Sequence, residues 1–301
     1  MPRSTFSILI TTKNRLTDLV FTLDKIKDLF QNDAVECVVF DDGSTDGISE
    51  YVKEHFPEIQ LLRNPISKGY MYCRNKMLQE TKADFAISLD DDAHFVTQNP
   101  LESIRNYFEN NDKCGLIALR VFWGLQEPNI TVSSEEPEQV QSFVGCAHVW
   151  RMTAWRVIPS YPEWFVFYGE ENFASYQLFK KNWQVHYLPE VLVNHRVDVK
   201  SRRNNADFTI RLRRSLRSSW YLMFLFYPKS AIPKKFIYSL WMQFKKMIKG
   251  DFKVLKAIVM ALLDLVWNTP KILKNRNRLT PKEYEIYHQL PEAKIYWSPE
   301  K

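Results

Sequence analysis

The sequence predicts an α/β fold, in which a mostly parallel sheet is flanked by helices and followed by a helical C-terminal extension. Over the first hundred residues, short runs rich in β-branched and aromatic residues alternate with segments of helical periodicity. The strand candidates are apolar along nearly their whole length, as strands buried on both faces of a parallel sheet are. Beyond residue 196 the apolar positions recur at helical spacing, so that region is predicted to be helical.

The elements can be assigned in order along the chain. Apolar runs bounded by polar or turn residues predict strands at 6–10, 35–40, 59–62, 85–89, 115–122, 144–150, 185–187 and 191–193. Apolar residues at three- and four-residue intervals predict helices at 16–30, 47–56, 70–80 and 171–181. We expect these elements to form one domain over residues 1–200, with a basic amphipathic helical region over residues 201–301.

The composition is that of an ordinary globular protein. The chain has 301 residues, of which 45% are hydrophobic and 25% charged, and its 14% aromatic content argues against disorder. Four widely spaced cysteines form no CxxC pair and no disulfide framework, which indicates a reducing compartment. The longest apolar runs are shorter than the roughly 20 residues of a membrane-spanning helix, and the N-terminus lacks signal-peptide anatomy. We therefore expect a cytoplasmic protein.

Charge is unevenly distributed along the chain. Residues 196–301 contain 23 lysines and arginines against 8 acidic residues, whereas residues 1–195 contain 18 basic and 27 acidic residues. An acidic body with a basic tail indicates a catalytic or metal-binding site in the first part and an anionic partner for the second. A solvated basic region without a partner is the alternative.

Polar clusters directly follow three of the predicted strands. They are Thr11–Arg15, Asp41–Asp46 and Asp90–Asp92. Ligands of parallel α/β sheets gather at the carboxyl ends of the strands, so we expect these clusters to meet in one crevice. Adjacent carboxylates raise each other's pKa unless a cation intervenes, and a hard divalent ion such as Mg²⁺ or Mn²⁺ suits the aspartate triplet. An exposed acidic turn without a metal is the alternative for this triplet taken alone.

The Asp41–Asp46 segment fits neither of two familiar binding loops. Aligned as an EF-hand loop from Asp42, it has Lys53 at the twelfth position, where a glutamate should bind Ca²⁺. The chain also contains no GxxxxGK[ST] phosphate loop and no GxGxxG dinucleotide motif. There remains a carboxylate presented to a polar group of a ligand, such as a base N–H or a ribose hydroxyl.

Two further positions carry ionisable residues whose roles the residues alone leave open. Glu170 and Glu171 lie at the predicted start of a helix, where they either provide a general base with its positioning partner or stabilise the helix dipole. His195 follows the strand at 191–193 and is either a structural histidine or a ligand for a manganese-like ion.

Taken together, these elements resemble family 2 glycosyltransferases of the GT-A (Rossmann-like) fold over about residues 5–196. The resemblance rests on motifs in the family's order: Ser7–Arg15, Asp41–Asp46, Lys68-Gly69 with Arg74-Asn75, the DXD motif Leu89–Asp92, Gly145–Ala147, Gly169–Glu171 and His195. Each motif is weak on its own, whereas their order is specific. Many members have Glu-Asp where this chain has Glu170-Glu171, which leaves the choice of base between the two open.

The resemblance implies a role for each matching residue. The donor-binding residues would be Thr11, Asn14, Arg15, Asp41, Asp42, Arg74, Asp90 and Asp91, with Asp41 as the residue that reads the nucleotide base. The metal ligands would be Asp90, Asp92 and His195. The general base would be Glu171, with Glu170 as the second choice.

The activity implied by the resemblance is inverting sugar transfer that depends on Mn²⁺ or Mg²⁺. A UDP-, GDP- or dTDP-sugar would donate to a hydroxyl of a glycan or lipid-linked acceptor in lipopolysaccharide or capsule assembly, as rhamnosyltransferase-like enzymes do. A catalytically inactive nucleotide-sugar binder or scaffold is the first alternative. A nucleic-acid-binding protein is a weaker one, because no recognised RNA- or DNA-binding motif is present.

The basic C-terminal third is predicted to lie on a membrane surface. Its amphipathic helices combine lysines with the aromatic residues Trp220, Phe224, Phe226, Tyr227, Trp241, Phe244 and Trp267. Such helices bind the interface of an anionic bilayer, which would place the protein at the inner face of the cell membrane. Packing on the catalytic domain or a homodimer contact is the alternative.

Overall fold

The computed structural model describes residues 6–31, 34–198, 207–248, 253–292, 294, 297 and 298. Within these residues one sheet contains the strands β1 (Phe6–Thr12), β2 (Val35–Asp41), β3 (Gln60–Arg63), β4 (Phe85–Asp90), β5 (Ala93–Phe95), β6 (Cys114–Trp123), β7 (Glu138–Val140), β8 (Ala147–Arg151) and β9 (Gln184–His195). The helices are α1 (Leu16–Phe30), α2 (Ile48–His55), α3 (Tyr70–Glu80), α4 (Pro100–Asn110), α5 (Met152–Trp155), α6 (Glu170–Lys180), α7 (Phe208–Phe226), α8 (Ile232–Ile248), α9 (Lys253–Trp267), α10 (Thr269–Lys274) and α11 (Pro281–Gln289).

The sheet is parallel over β1 to β4, as predicted, and mixed beyond them, with four parallel and four antiparallel pairings among the described strands. Its strands lie in the order β3-β2-β1-β4-β8-β6-β9-β5, and β7 pairs with β9. Strands β1 to β4, β6 and β9 run in one direction, whereas β5, β7 and β8 run in the opposite direction. In the parallel part, Thr11 lies beside Asp90 and Thr12 beside Asp41, so the three polar clusters meet at one edge of the sheet.

Helices cover both faces of the sheet. Successive side chains of a strand point to opposite faces, and β1 shows this alternation. Ile8 and Ile10 lie in one apolar cluster with Leu23 of α1, whereas Leu9 lies in a second cluster with Met77 of α3. The strands are therefore apolar on both faces, which explains the near-continuous hydrophobic runs of the sequence.

One long strand replaces two predicted ones. The segments predicted at 185–187 and 191–193 both belong to β9, which continues past Pro189. The pairing of β9 with β6 shifts at this point, from Leu119 opposite Leu188 to Arg120 opposite Leu192. Proline cannot donate a ladder hydrogen bond, and the bulge accommodates it without ending the strand.

The helical C-terminal region is present, and its first helix is part of the core. Tyr221, Leu225 and Phe226 of α7 lie in the same apolar cluster as Phe165 and Phe173 of the preceding region. The predicted boundary between residues 200 and 201 lies outside the described residues. Among the helices that the structure describes, none combines the length and the apolar character needed to cross a bilayer.

The aromatic residues predicted for a membrane surface divide into two groups. Trp220 and Phe226 are fully buried, and Phe224 and Tyr227 pack against the apolar clusters around α7. The membrane-surface prediction is wrong for Trp220 and Phe226, because α7 buries them in the core, and for the partly buried Phe224 and Tyr227 it stays a prediction. The remaining three, Trp241, Phe244 and Trp267, are exposed.

Candidate active site

Asp92 and His195 lie side by side at the edge where the polar clusters meet. Strand β5 pairs antiparallel with β9 and sets Ala93 opposite His195. His195 Nε2 lies 3.0 Å from Asp92 Oδ1, and Arg15 Nη2 donates to Asp92 Oδ2 at 2.8 Å. Burial opposes the charge of Asp92, but His195 and Arg15 outweigh it and lower its pKa to about 2. The carboxylate is therefore ionised at neutral pH.

Asp90, Asp92 and His195 form a group that fits a divalent metal ion. One ligand atom from each residue lies within 4.8 Å of the others. Asp92 Oδ1 is buried without hydrogen-bond geometry to any donor, although buried polar atoms are nearly always satisfied. Two carboxylates and an imidazole are suitable ligands for Mn²⁺, and the carboxylates also suit Mg²⁺. A bound ion would add a ligand bond to Asp92 Oδ1, which lies 3.0 Å from His195 Nε2 outside hydrogen-bond geometry.

Asp91 lies between the two predicted metal ligands but is tied to β1. Its Oδ2 accepts a hydrogen bond from Thr12 Oγ1 at 2.8 Å, and its Oδ1 lies 3.3 Å from Arg15 Nη1. Burial raises the pKa of Asp91 to about 7, against the opposing effect of Arg15. The hydrogen bond from Thr12 thus connects the turn after β4 to β1. The role of Asp91 in donor binding stays a prediction.

Donors of the chain itself hold the carboxylates of Asp41 and Asp42. Asp41 accepts from the Ser44 backbone N–H at 2.7 Å and from Ser49 Oγ at 2.6 Å. Burial disfavours the charged form of Asp42, but four donors overcome it and lower its pKa: Ser67 Oγ, Lys68 N, Asn64 Nδ2 and Gly69 N. The two carboxylates thus shape the loop after β2 and the loop before α3. That Asp41 reads a nucleotide base stays a prediction.

Asn14 joins the loop after β1 to the loop after β2. Its backbone adopts a left-handed φ of 52°, its N–H donates to Ser44 Oγ at 2.9 Å, and its Oδ1 accepts from Thr45 N at 2.8 Å. Thr11, which lies on β1 three residues before Asn14, has a buried hydroxyl without a hydrogen-bond partner in the described part of the chain. Both residues therefore lie at the sheet edge that is predicted to bind the nucleotide sugar, where Asn14 links two loops.

Arg74 connects the metal-binding group to the pair of glutamates. Its Nη2 donates to Asp90 Oδ1 at 2.5 Å and to the Gly145 carbonyl at 3.0 Å, and its Nη1 lies 3.8 Å from Glu170 Oε1. The guanidinium is buried among these groups. Because Arg74 touches both, the DXD motif and the glutamates belong to one connected group of side chains.

Glu170 and Glu171 begin α6, yet their environments differ. Glu170 is only 4% exposed, and its Oε1 lies 3.8 Å from Arg74 Nη1. Glu171 as a whole residue is partly exposed, whereas Glu170 is buried. Burial of its carboxyl group and the neighbouring charge of Glu170 raise the pKa of Glu171 well above its usual range. A carboxylate with a raised pKa is a stronger base, which favours Glu171 for that role.

A family model covers the part of the chain that holds this geometry. The family described as Glycosyl transferase family 2 matches residues 7–171, which is more than half of the chain and reaches from β1 to Glu171. The chain belongs to this family. No curated protein sequence matches it.

Solved structures of glycosyltransferases share the GT-A fold of this family member. GalNAc-T7 with UDP, GalNAc and Mn²⁺ has a TM-score of 0.58 at 14% identity, covering 76% of this chain and 49% of its own. The mannosyltransferase PcManGT from Pyrobaculum calidifontis with GDP-Man and Mn²⁺ has 0.56 at 14%, covering 95% and 79%. S. aureus TarS has 0.53 at 16%, covering 73% and 40%. The chain thus spans about half of the GalNAc-T7 chain and 40% of the TarS chain.

The loop before the glutamates is held by contacts that the motifs of the family did not reveal. Val166 and Tyr168 have φ values of 66° and 69°, and such left-handed backbone is costly for a β-branched residue such as Val166. Arg217 of α7 donates to the Phe165 carbonyl, and Ser218 Oγ donates to the Phe167 carbonyl at 3.1 Å. Helix α7 thereby supports the strained loop that leads into Glu170 and Glu171. No local sequence pattern signals these contacts, since they join segments about fifty residues apart.

Gly145 leaves room for the Glu171 carboxylate. A Cβ atom at Gly145 would lie 2.8 Å from Glu171 Oε1, closer than real Cβ contacts, while its φ needs no glycine. The atom it meets is the tip of a flexible side chain, so the chain can fold with alanine here by moving that carboxylate. Position 145 therefore controls where the glutamate lies.

We expect Gly145→Ala to lower sugar transfer about tenfold to a hundredfold while the unfolding temperature changes little, because displaced catalytic groups lose rate steeply. Steady-state kinetics and thermal unfolding of the purified variant measure the two effects. The second substitution Glu171→Asp shortens the side chain and should recover part of the loss. Full activity of Gly145→Ala would show that the close approach has no part in catalysis.

Proposed function

We infer that this family 2 member is a metal-dependent, inverting glycosyltransferase that moves a sugar from a nucleoside diphosphate to an acceptor hydroxyl. The observation that carries the proposal is a continuous set of contacts. It runs from His195 and Asp92 through Asp90 and Arg74 to Glu170 and its neighbour Glu171. Such a site has a cationic side for a leaving diphosphate and a basic side for an attacking hydroxyl.

The leaving-group side depends on positive charge. The leaving diphosphate gains negative charge as the bond to the sugar breaks, and a divalent ion held by Asp90, Asp92 and His195 would neutralise part of it. Arg15 and Arg74 border this group and hold the aspartates in place. Their guanidinium groups bring two permanent charges beside the diphosphate, as phosphate recognition by arginine requires.

The acceptor side depends on Glu171. Its carboxylate takes the proton of the acceptor hydroxyl as that oxygen attacks the anomeric carbon, and Glu170 keeps the proton affinity of Glu171 high. The oxygen enters on the face opposite the departing diphosphate, so a single displacement inverts the anomeric carbon. Electrons move from the acceptor O–H bond into the new glycosidic bond and from the old bond into the diphosphate.

The donor is a UDP-, GDP- or dTDP-sugar, and the acceptor is a glycan or lipid-linked hydroxyl used in cell-surface polysaccharide assembly on the cytoplasmic side of the membrane. The structural neighbours support the donor class, since PcManGT was solved with GDP-Man and a TarS fragment with UDP-GlcNAc. Thr11, Asn14, Arg15, Asp41, Asp42, Arg74, Asp90 and Asp91 are the donor-binding set that we propose.

A thermal-shift screen of nucleotide sugars with Mn²⁺ tests this proposal. The true donor should raise the unfolding temperature, because a ligand at a hundred times its Kd stabilises a protein by about 2.7 kcal/mol. Nucleic-acid oligomers serve as the negative panel. Release of free nucleoside diphosphate from the stabilising donor separates an enzyme from an inactive binder or scaffold. A screen in which no nucleotide sugar shifts the transition, with or without Mn²⁺, would contradict the donor class.

A further inference from the structure

We propose that the exposed side chains of α8, α9 and α10, here called the α8–α10 surface, dock on an anionic phospholipid bilayer. Of the 21 exposed large hydrophobic side chains in the described residues, 11 lie between Ile237 and Leu273. Scattered exposed hydrophobics are normal, whereas a concentration of them in one region marks an interaction surface. The remaining question is what covers this surface.

Helix α8 shows the apolar part of the surface clearly. Ile237, Trp241 and Phe244 follow at four- and three-residue intervals, so they share one side of the helix, and they are 65%, 50% and 47% exposed. Phe236 and Leu240 lie on another side and pack against the apolar cluster of α7 and α9. Helix α8 therefore has two apolar sides. One packs against the rest of the protein, and the other, with Ile237, Trp241 and Phe244, is exposed.

Helices α9 and α10 continue the surface. Val266 and Trp267 are 72% and 85% exposed, and together with Leu263, Pro270 and the ion-paired Asp264 they line a mostly apolar groove. The opposite side of α9, with Val254 and Ala261, is buried against α7. Both helices thus present apolar side chains away from the core that they join.

Basic residues border the apolar side chains. Helices α8 and α10 contain no acidic residue, and their lysines are Lys234, Lys235, Lys245, Lys246, Lys271 and Lys274. The acidic residue of α9, Asp264, is paired with Arg213 and Arg217 of α7. Lys245 lies 5.5 Å from the Trp241 ring, next to the apolar stripe. Lysines in this position reach phosphate groups while the apolar side chains enter the interface.

The charge pattern favours a bilayer over a second copy of the chain. In a two-fold dimer the same patch occurs on both subunits, so this surface would bring lysines against lysines with no acidic partner for them. An anionic leaflet supplies negative charge across the whole surface and an apolar layer beneath it. The negative charge suits the lysines of α8 and α10, and the apolar layer suits their exposed apolar side chains.

The docking also connects to the active site, a step that rests on the proposed function. Helix α9 packs on α7, and α7 donates to the Phe165 and Phe167 carbonyls in the loop before Glu170. A bilayer bound to α9 would thus hold the base-bearing loop at a fixed position relative to the lipid surface. The acceptor class that fits this arrangement is a glycan hydroxyl carried on a membrane-embedded lipid.

Vesicle flotation of the full chain tests the docking. Vesicles of phosphatidylcholine alone and vesicles with added phosphatidylglycerol are compared at 0.1 M and 1 M salt. We expect binding to the anionic vesicles, weakened by high salt because screening shortens the reach of charge. The pair Trp241→Glu and Phe244→Glu, and separately Lys245→Glu and Lys246→Glu, should each weaken vesicle binding at least about tenfold. As a matched control, Ile66→Glu with Leu125→Glu changes exposed apolar residues elsewhere on the chain and should leave binding unchanged.

Each outcome separates this docking from the proposed activity. Equal binding of neutral and anionic vesicles, or binding that the α8 variants retain, overturns the proposal. A dimer in light scattering that the Trp241→Glu and Phe244→Glu variant dissolves, without vesicle binding by the parent chain, overturns it in favour of a second copy. The Mn²⁺-dependent donor shift is measured on the same preparations. A donor shift without vesicle binding rejects the docking alone, and vesicle binding without any donor shift rejects the activity alone.

Discussion

Glu171→Gln should reduce sugar transfer at least about a hundredfold, since general-base catalysis typically contributes that factor or more. The substitution keeps the shape of the side chain and removes the group that accepts the proton of the acceptor hydroxyl. Donor binding should change little, because the metal-binding group and both arginines remain. Transfer rates and the Mn²⁺-dependent thermal shift of the same variant measure the two effects separately.

The pH dependence of transfer gives a second readout for the same residue. A base works only when it is unprotonated, and the pKa of Glu171 is raised by burial and by the charge of Glu170. The rate should therefore rise with pH through a range above that of an ordinary glutamate and then level off. Glu170→Gln removes a neighbouring negative charge, which lowers the pKa of Glu171, so the rise should move to lower pH. If instead Glu170→Gln abolishes transfer while Glu171→Gln leaves it near full, the roles are reversed.

A control for the charge change is available at another helix start. Glu102 lies in the first turn of α4 and is exposed, so Glu102→Gln removes the same group from a comparable position outside the crevice. Transfer by this variant should equal that of the parent chain. Near-full turnover of both Glu171→Gln and Glu170→Gln would show that neither glutamate is the general base.

The sequence predicted the location of the site because local patterns encode strand ends. Buried strands are visible as apolar runs, and the polar residues that follow them must lie at the carboxyl edge of a parallel sheet. The register of β1 against β2 and β4 then brings Thr12 beside Asp41 and Thr11 beside Asp90. Motif order supplied the remaining assignments, including His195, which no local pattern distinguishes from a structural histidine.

What the sequence could not predict depends on contacts between distant segments. Arg74 lies on α3, yet its partners Asp90, Gly145 and Glu170 come from three other parts of the chain. The burial of the aromatic residues in the last third of the chain also depends on contacts between distant segments. Helical spacing cannot tell Trp220, which joins the core, from Trp241, which is exposed, because both lie on amphipathic helices. Whether such an aromatic residue is buried depends on which segments its helix packs against in the folded protein.

The short elements were missed for a related reason. Strands β5 and β7 have three residues each, too few to show an alternating pattern. Helix α4 is different, because its buried residues Pro100, Ile104 and Phe108 recur at the four-residue spacing of a helix, a pattern that the prediction overlooked. Strand β5 nevertheless matters for function, since its pairing with β9 sets His195 beside Asp92.

Asp92→Asn should likewise lower sugar transfer at least about a hundredfold, because it removes charge where a divalent ion and the leaving diphosphate must be balanced. Asparagine keeps the volume and one oxygen, but it replaces an ionised carboxylate whose pKa of about 2 shows how strongly His195 and Arg15 favour its charge despite burial. The Mn²⁺-dependent part of the donor's thermal shift should disappear with the activity. A merely structural carboxylate would instead lower the unfolding temperature in the presence and absence of Mn²⁺ alike.

Asp18 provides the matched control for Asp92. It also accepts hydrogen bonds from Arg15, at 2.9 and 3.0 Å, but it lies on the exposed start of α1 outside the metal-binding group. Asp18→Asn therefore removes a carboxylate partner of the same arginine without removing a metal ligand, and both transfer and the Mn²⁺ response should persist. Near-full turnover of Asp92→Asn would contradict a role for Asp92 in metal binding. An equal loss in both variants would mean that Arg15 and its ion pairs, rather than a bound metal ion, determine the rate at this edge of the sheet.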